Sequence, residues 1–172
     1  MAVIAFGALT PVAHADNARP TAPLKSYVVE MTGTTSTETV TNGVSRKSAP
    51  AEFPNFYFTP QNNSYAGNSN DANFTGQVKY GSDKFTFAWS QKLSARHVAA
   101  AKGLMSEVAT ATKNGKSFGY RDTHSNVPVN YTVHSSFITP TSRYVLKIDE
   151  TFPITGGYRK VHSEFDFIVT LI

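Results

Sequence analysis

His134, Asp149, His162 and Glu164, near the carboxyl end, are the residues of this chain whose types suit a divalent-cation site or general acid–base chemistry. A neutral imidazole offers a nitrogen ligand, and a carboxylate offers oxygens or a proton acceptor. Two carboxylates on neighbouring strands lie about 5 Å apart at Cβ and repel unless a cation, a shared proton or a nearby Lys147 compensates. The plainer reading is that an antiparallel sheet wets one of its faces, with these groups as solvated charges paired to Lys147.

The elements that would position them read as a meander. A turn at Gly156-Gly157 pairs Phe152 with Val161, Ile148 with Phe165 and Leu146 with Phe167 on one face. Thr151 with His162, Asp149 with Glu164 and Lys147 with Asp166 then share the other. A second turn through Thr139-Pro140-Thr141-Ser142 brings Phe137 to Tyr144 and Val133 to Ile148, adding Tyr131, Val133 and Phe137 to the apolar face. The expectation is a three-stranded antiparallel meander over Val129 to Phe137, Arg143 to Phe152 and Tyr158 to Leu171, with His134 beside Lys147 and Asp166; a slip by one residue would undo the sorting.

Upstream, Tyr27, Val29 and Met31 alternate as in a half-buried strand. Thr32 to Ser48 is rich in Thr and Ser and reads as a weak edge strand or a loop, too polar at alternate positions for a lipid-facing barrel wall. Thr59 to Asn73, with five Asn, reads as a long exposed loop. A turn at Gly81-Ser82-Asp83-Lys84 sets Tyr80 against Phe85, Val78 against Phe87 and Gly76 against Trp89. Ser94 to Lys113 reads as an amphipathic helix, with Ser94 as cap, Asn114-Gly115 as stop, and Val98, Ala101, Leu104, Met105, Val108 and Ala111 on one arc. His97 falls inside that arc, the usual place of a hydrogen-bonded packing residue. Lys116 to Pro128 reads as a loop in which Arg121, Asp122 and His124 stand close together.

Composition narrows the rest. The chain has 172 residues, 40% apolar and 16% charged, without cysteine. This length suits one domain, and the absence of cysteine excludes disulfides, thiolate zinc sites and a cysteine nucleophile. No G-x-S-x-G, H-E-x-x-H or phosphate-cradling glycine loop is present. The apolar run Ala2 to Leu9 followed by Ala13-His14-Ala15 reads as an export signal, giving a signal peptide over 1–15, a leader over 16–25 and a single domain over 26–172. An exported domain without cysteine fits a Gram-positive host. Between Gln77 and Arg121, eight basic residues face only Asp83 and Glu107, and Lys79, Lys84, Lys92, Arg96 and Lys102 become candidates for an anionic ligand.

These readings converge on a secreted or cell-surface α+β domain: an antiparallel sheet of about six or seven strands with the single helix packed on it, a β-sandwich with one helix being the alternative. The leading expectation is a non-catalytic module that binds an anionic cell-envelope polymer or glycan. No nucleic acid, transmembrane segment or cofactor is expected, apart from a divalent cation at His134, Asp149, His162 and Glu164. Two other expectations stand beside it. One is a secreted enzyme or metal-dependent site on the polar face of the terminal strands; the other is a secreted effector, inhibitor or bacteriocin-like protein.

Overall fold

The computed structural model describes residues 27–81 and 84–172. The expected signal peptide and leader lie outside the described residues, as do Ser82 and Asp83. In chain order the elements are β1 (Tyr27–Thr41), β2 (Val44–Lys47), β3 (Ala51–Glu52), β4 (Phe56–Phe58), β5 (Ser64–Asn68), β6 (Ala72–Tyr80) and β7 (Lys84–Leu93). A short helix α1 (Ala95–Ala100) follows, and then β8 (Met105–Lys113), β9 (Lys116–Val127), β10 (Val133–Pro140), β11 (Tyr144–Ile154) and β12 (Gly157–Leu171). All strand pairs are antiparallel.

The strands form two sheets. The larger runs β2-β1-β12-β11-β8-β9, with β3 and β4 also pairing β1; the smaller runs β10-β7-β6-β5. Their apolar faces meet in one core, where Phe74 of β6 stacks on Phe165 of β12 at 3.8 Å and Phe87 of β7 meets Phe167 of β12 at 4.7 Å. The arrangement is that of a two-sheet sandwich, as strands with alternating burial require when each sheet has one apolar face. Among the described residues no helix is long and apolar enough to cross a membrane.

Several expectations change. The helix over Ser94 to Lys113 shrinks to six residues, and its second half is the strand β8. Met105, Ala109 and Ala111 point inward at strand period, so the arc that looked helical was an alternation. Asn114-Gly115 is a hairpin turn with both residues at positive φ, 49° and 79°, the two-residue turn that antiparallel strands favour, and not a helix stop. Thr59 to Asn73 is not one loop, since β5 and the start of β6 lie in it and Tyr65 and Ala72 are buried. Lys116 to Pro128 is mostly strand β9.

The terminal meander is divided between the sheets. β11 and β12 do form a hairpin with the expected faces, but the turn is Thr155-Gly156, and Leu146 pairs with Phe165 and Tyr144 with Phe167, two residues from the expected register. A slip of two keeps every side chain on its own face, so the apolar and polar sets survive. β10 pairs with β7 in the smaller sheet and not with β11. Val133 and Phe137 still point into the core, whereas Tyr131 is exposed.

At one end the sheets are pinned by Asp71, which is buried between β5 and β6 and accepts hydrogen bonds from Thr35 and Thr37 of β1 and from Arg96 and His97 of α1. Towards the other, Trp89 Nε1 of β7 donates to the Tyr120 hydroxyl of β9, which donates to Ser135 Oγ of β10 at 2.8 Å.

Candidate functional site

Three of the four expected chemical residues meet. Asp149 on β11 and His162 on β12 are direct cross-strand partners on the outer face of the larger sheet. Asp149 Oδ1 lies 2.8 Å from His162 Nδ1, and Glu164 Oε2 lies 3.4 Å from His162 Nε2. Lys160 Nζ is 3.8 Å from Asp149 and Lys147 Nζ 4.0 Å from Glu164. Asp149, Lys160 and His162 line an open hollow of about 360 Å³ together with Glu38 and Lys47. His134 does not join them: it is exposed on β10 in the smaller sheet, opposite Ser90, with the Tyr131 ring 6.3 Å away.

The electrostatics of this group follow from its geometry. The hydrogen bond to Asp149, helped by Glu164, holds the His162 imidazole above its ordinary pKa, and the same bond holds the Asp149 carboxyl below its own. An imidazole with both nitrogens turned to carboxylates is favoured as the doubly protonated cation, which has no lone pair to give a metal. The neighbouring charges are also mutually satisfied, with Arg143 on Asp166 through two nitrogens.

The five basic candidates separate. Lys79, Lys84 and Lys92 are exposed on the outer face of the smaller sheet, and none makes an ion pair with a described residue. Arg96 is committed to Asp71. Lys102 follows α1, where its backbone N–H bonds the Pro153 carbonyl of β11.

A second group, not assembled by the sequence reading, lies on the inward side of β8, β9 and β11. Glu107 of β8 pairs directly with His124 of β9 on one side and with Glu150 of β11 on the other. Glu107 and Glu150 are both 0% exposed. Gln91 Nε2 of β7 donates to Glu150 Oε2 at 2.8 Å, leaving Glu150 Oε1 and both Glu107 oxygens without a side-chain hydrogen-bond partner among the described residues. His124 Nε2 lies 2.9 Å from Asp122 Oδ2 and 4.0 Å from Glu107 Oε2. Burial, reinforced by Asp122 and Glu150, pushes the Glu107 carboxyl up to about 8, a rise that the His124 backbone N–H partly opposes. Burial likewise pushes Glu150 up to about 7.

The local chain explains the aim of these side chains. β9 carries an extra residue between the Met105–Val127 and Glu107–His124 pairs, with Asn126 at φ 56°, so the strand bulges as it passes Glu107. Asp122 and His124, two residues apart, therefore face the same side as Glu107. The sequence signal was the closeness of Asp122 and His124; what it lacked was Glu107, hidden inside a supposed helix.

No family model matches this chain, and no curated protein or solved structure is significantly similar to it.

Proposed function

We propose that the protein is an exported, envelope-associated binding module and that the outer face of its smaller sheet takes an anionic polysaccharide. One observation carries this reading: among the described residues, the outward positions of β5, β6, β7 and β10 include Lys79, Lys84, Lys92 and His134 and no carboxylate. On the larger sheet's outer face Arg143, Lys147 and Lys160 instead pair with Asp166, Glu164 and Asp149. Lys79 pairs with Thr86 and so sits diagonally from Lys84, while Lys92 and His134 are diagonal neighbours at the other end of β7. The two cationic ends are separated by eight residues of one strand, about 26 Å. Between them Thr75, Gln77, Thr86, Ser90 and Ser136 supply hydroxyl and amide groups that hydrogen-bond sugars. An extended polymer with repeated negative charge fits this face better than a small compact anion, because the charges form two ends and not one pocket.

The test is retention on an immobilised carboxylated or sulfated polysaccharide at low and at high salt. Binding should weaken steeply with salt, since solvent-exposed lysines are screened within about 8 Å at physiological ionic strength. Replacing Lys79, Lys84 and Lys92 together with Gln should abolish retention without lowering stability. Retention that ignores salt or survives the triple substitution overturns the reading.

A further inference from the structure

We propose that Glu107, Asp122 and His124 form a binding site for a divalent transition cation, with Zn²⁺ the ion that their donors suit best. The proposal concerns a different part of the molecule from the polysaccharide face and does not depend on it. One carboxylate oxygen from each acid and one imidazole nitrogen lie within 4.8 Å of one another. Tetrahedral zinc, bound at about 2.0–2.1 Å, holds neighbouring ligand atoms about 3.3 Å apart. The Asp122–His124 separation of 2.9 Å is already of that size, and the Glu107–His124 separation of 4.0 Å requires only a small side-chain adjustment.

A second observation points to a cation independently of this clustering. The Glu107 side chain is fully buried, neither of its oxygens accepts a hydrogen bond from a described side chain, and it is aimed at Asp122 and His124. Across the β8–β11 pair, the buried Glu150 adds another unpartnered oxygen. Two glutamates at adjacent inward positions are among the costliest groups to place in a core, and such groups persist where something pairs them. No Lys or Arg makes an ion pair with either of them among the described residues. Gln91 gives Glu150 a single donor and leaves Glu107 unserved. Asp122 and His124, with side chains 27% exposed, give a cation a route from solvent to the buried carboxylate. A nitrogen with carboxylate oxygens is a donor set for zinc, whereas calcium favours a larger set of oxygens alone.

The test uses the whole chain stripped of metal and titrated with zinc chloride alone, followed by calorimetry and by the thermal midpoint. The expected result is saturable binding of one Zn²⁺ per chain with a rise in midpoint, and no such rise with calcium chloride. Glu107→Gln, which replaces the buried carboxyl by an amide of the same shape and so keeps the fold, should weaken zinc binding at least about tenfold, as should His124→Ala. His162→Ala, in the separate group on the outer face, should leave affinity within about twofold. Cobalt substitution should give visible absorption that disappears in His124→Ala. Absence of saturable zinc binding overturns the proposal. So do wild-type affinity in Glu107→Gln, or loss of binding in His162→Ala alone.

Discussion

The His97 Nε2 lies 2.9 Å from Asp71 Oδ1, so a residue of α1 is tied to the turn between β5 and β6, while the His97 Nδ1 faces the Arg159 guanidinium of β12 at 3.3 Å. Arg159 can only donate, so Nδ1 accepts and Nε2 carries the proton that goes to Asp71. The bond therefore selects one neutral tautomer. Burial keeps His97 below its ordinary pKa of 6.5, against the pull of Asp71. As pH falls through 6.5, the unfolded chain takes up a proton at this position before the folded chain does, and stability drops. Urea melts of the wild type and of His97→Gln should diverge in their pH dependence between about pH 7 and 5, with the variant flatter there. Parallel profiles would show that His97 is not the group responsible.

Asp71 itself should matter more. Burial alone would raise its pKa, yet the donors His97, Thr35 and Arg96 outweigh that and hold the carboxyl below its ordinary value. Thr35 and Thr37 belong to the larger sheet and Asp71 to the turn that joins β5 and β6 of the smaller, so the carboxylate ties the two together. Asp71→Ala leaves two buried hydroxyls and a buried imidazole without their acceptor and should cost about 3 kcal/mol in chemical denaturation. A loss under about 1 kcal/mol would mean that the sheets hold together by apolar packing alone.

This joint also accounts for what was hard to read in the sequence. Period-two alternation identified the β6–β7 hairpin with its register intact, because Val78, Phe85, Phe87 and Trp89 put apolar side chains at successive inward positions beside the turn. In β1 the inward positions continue as Gly33, Thr35 and Thr37, so a strand paired on both sides in the larger sheet resembled an edge strand or loop. In β8 the inward series is Met105, Glu107, Ala109, Ala111, and the glutamate breaks the alternation that would have marked a strand. Residues placed against local pattern are those of the Asp71 joint, where polar partners outweigh the usual apolar preference, and of the Glu107 group. The assignment of β10 failed for another reason. Val133 and Phe137 enter the same core from either sheet, so facial sorting cannot tell which sheet holds them.

The outer-face histidine gives a spectroscopic prediction. His162 is held above 6.5 chiefly by its bond to Asp149, so Asp149→Asn should lower its midpoint in an NMR titration. Glu164→Gln should lower it less, the contact being 3.4 Å against 2.8 Å. The stability that this group contributes is present below pH 6.5 and is lost as pH rises through the folded-state value. These side chains are more than one-third exposed, so solvent screening keeps that contribution below about 1 kcal/mol. An unshifted midpoint in Asp149→Asn would show that the solution geometry differs.

The two glycines after β11 do different things and should respond differently to alanine. Gly156 has φ 77°, in the left-handed region, and Ala there costs about 1–2 kcal/mol while Asn costs less. Gly157 pairs with both Thr41 and Ile154, and a Cβ at this position would run into the Val40 carbonyl oxygen of the neighbouring strand. Backbone cannot swing aside as a side chain can. Gly157→Ala should therefore destabilise more than Gly156→Ala, and Asn should rescue position 156 alone; equal losses would place the turn elsewhere.

Tyr144 offers the opposite sign. Its ring stacks on Phe167 at 4.5 Å with planes 15° apart and meets Phe87 and Phe137, so the aromatic body is part of the core. Its hydroxyl is buried with no hydrogen-bond partner among the described residues, and burial drives its pKa well above the ordinary value. A buried hydroxyl without a partner forfeits its hydration and gains nothing in return. Tyr144→Phe removes that group and keeps the stack, so it should raise stability by about 1 kcal/mol, whereas Tyr144→Ala should lower it by about 3–5 kcal/mol through the cavity it opens. Thermal and urea unfolding of the two variants separate the contributions. If Tyr144→Phe instead destabilises, the hydroxyl has a partner in solution, and the most direct place to look is Tyr80, whose own hydroxyl is buried and unpartnered.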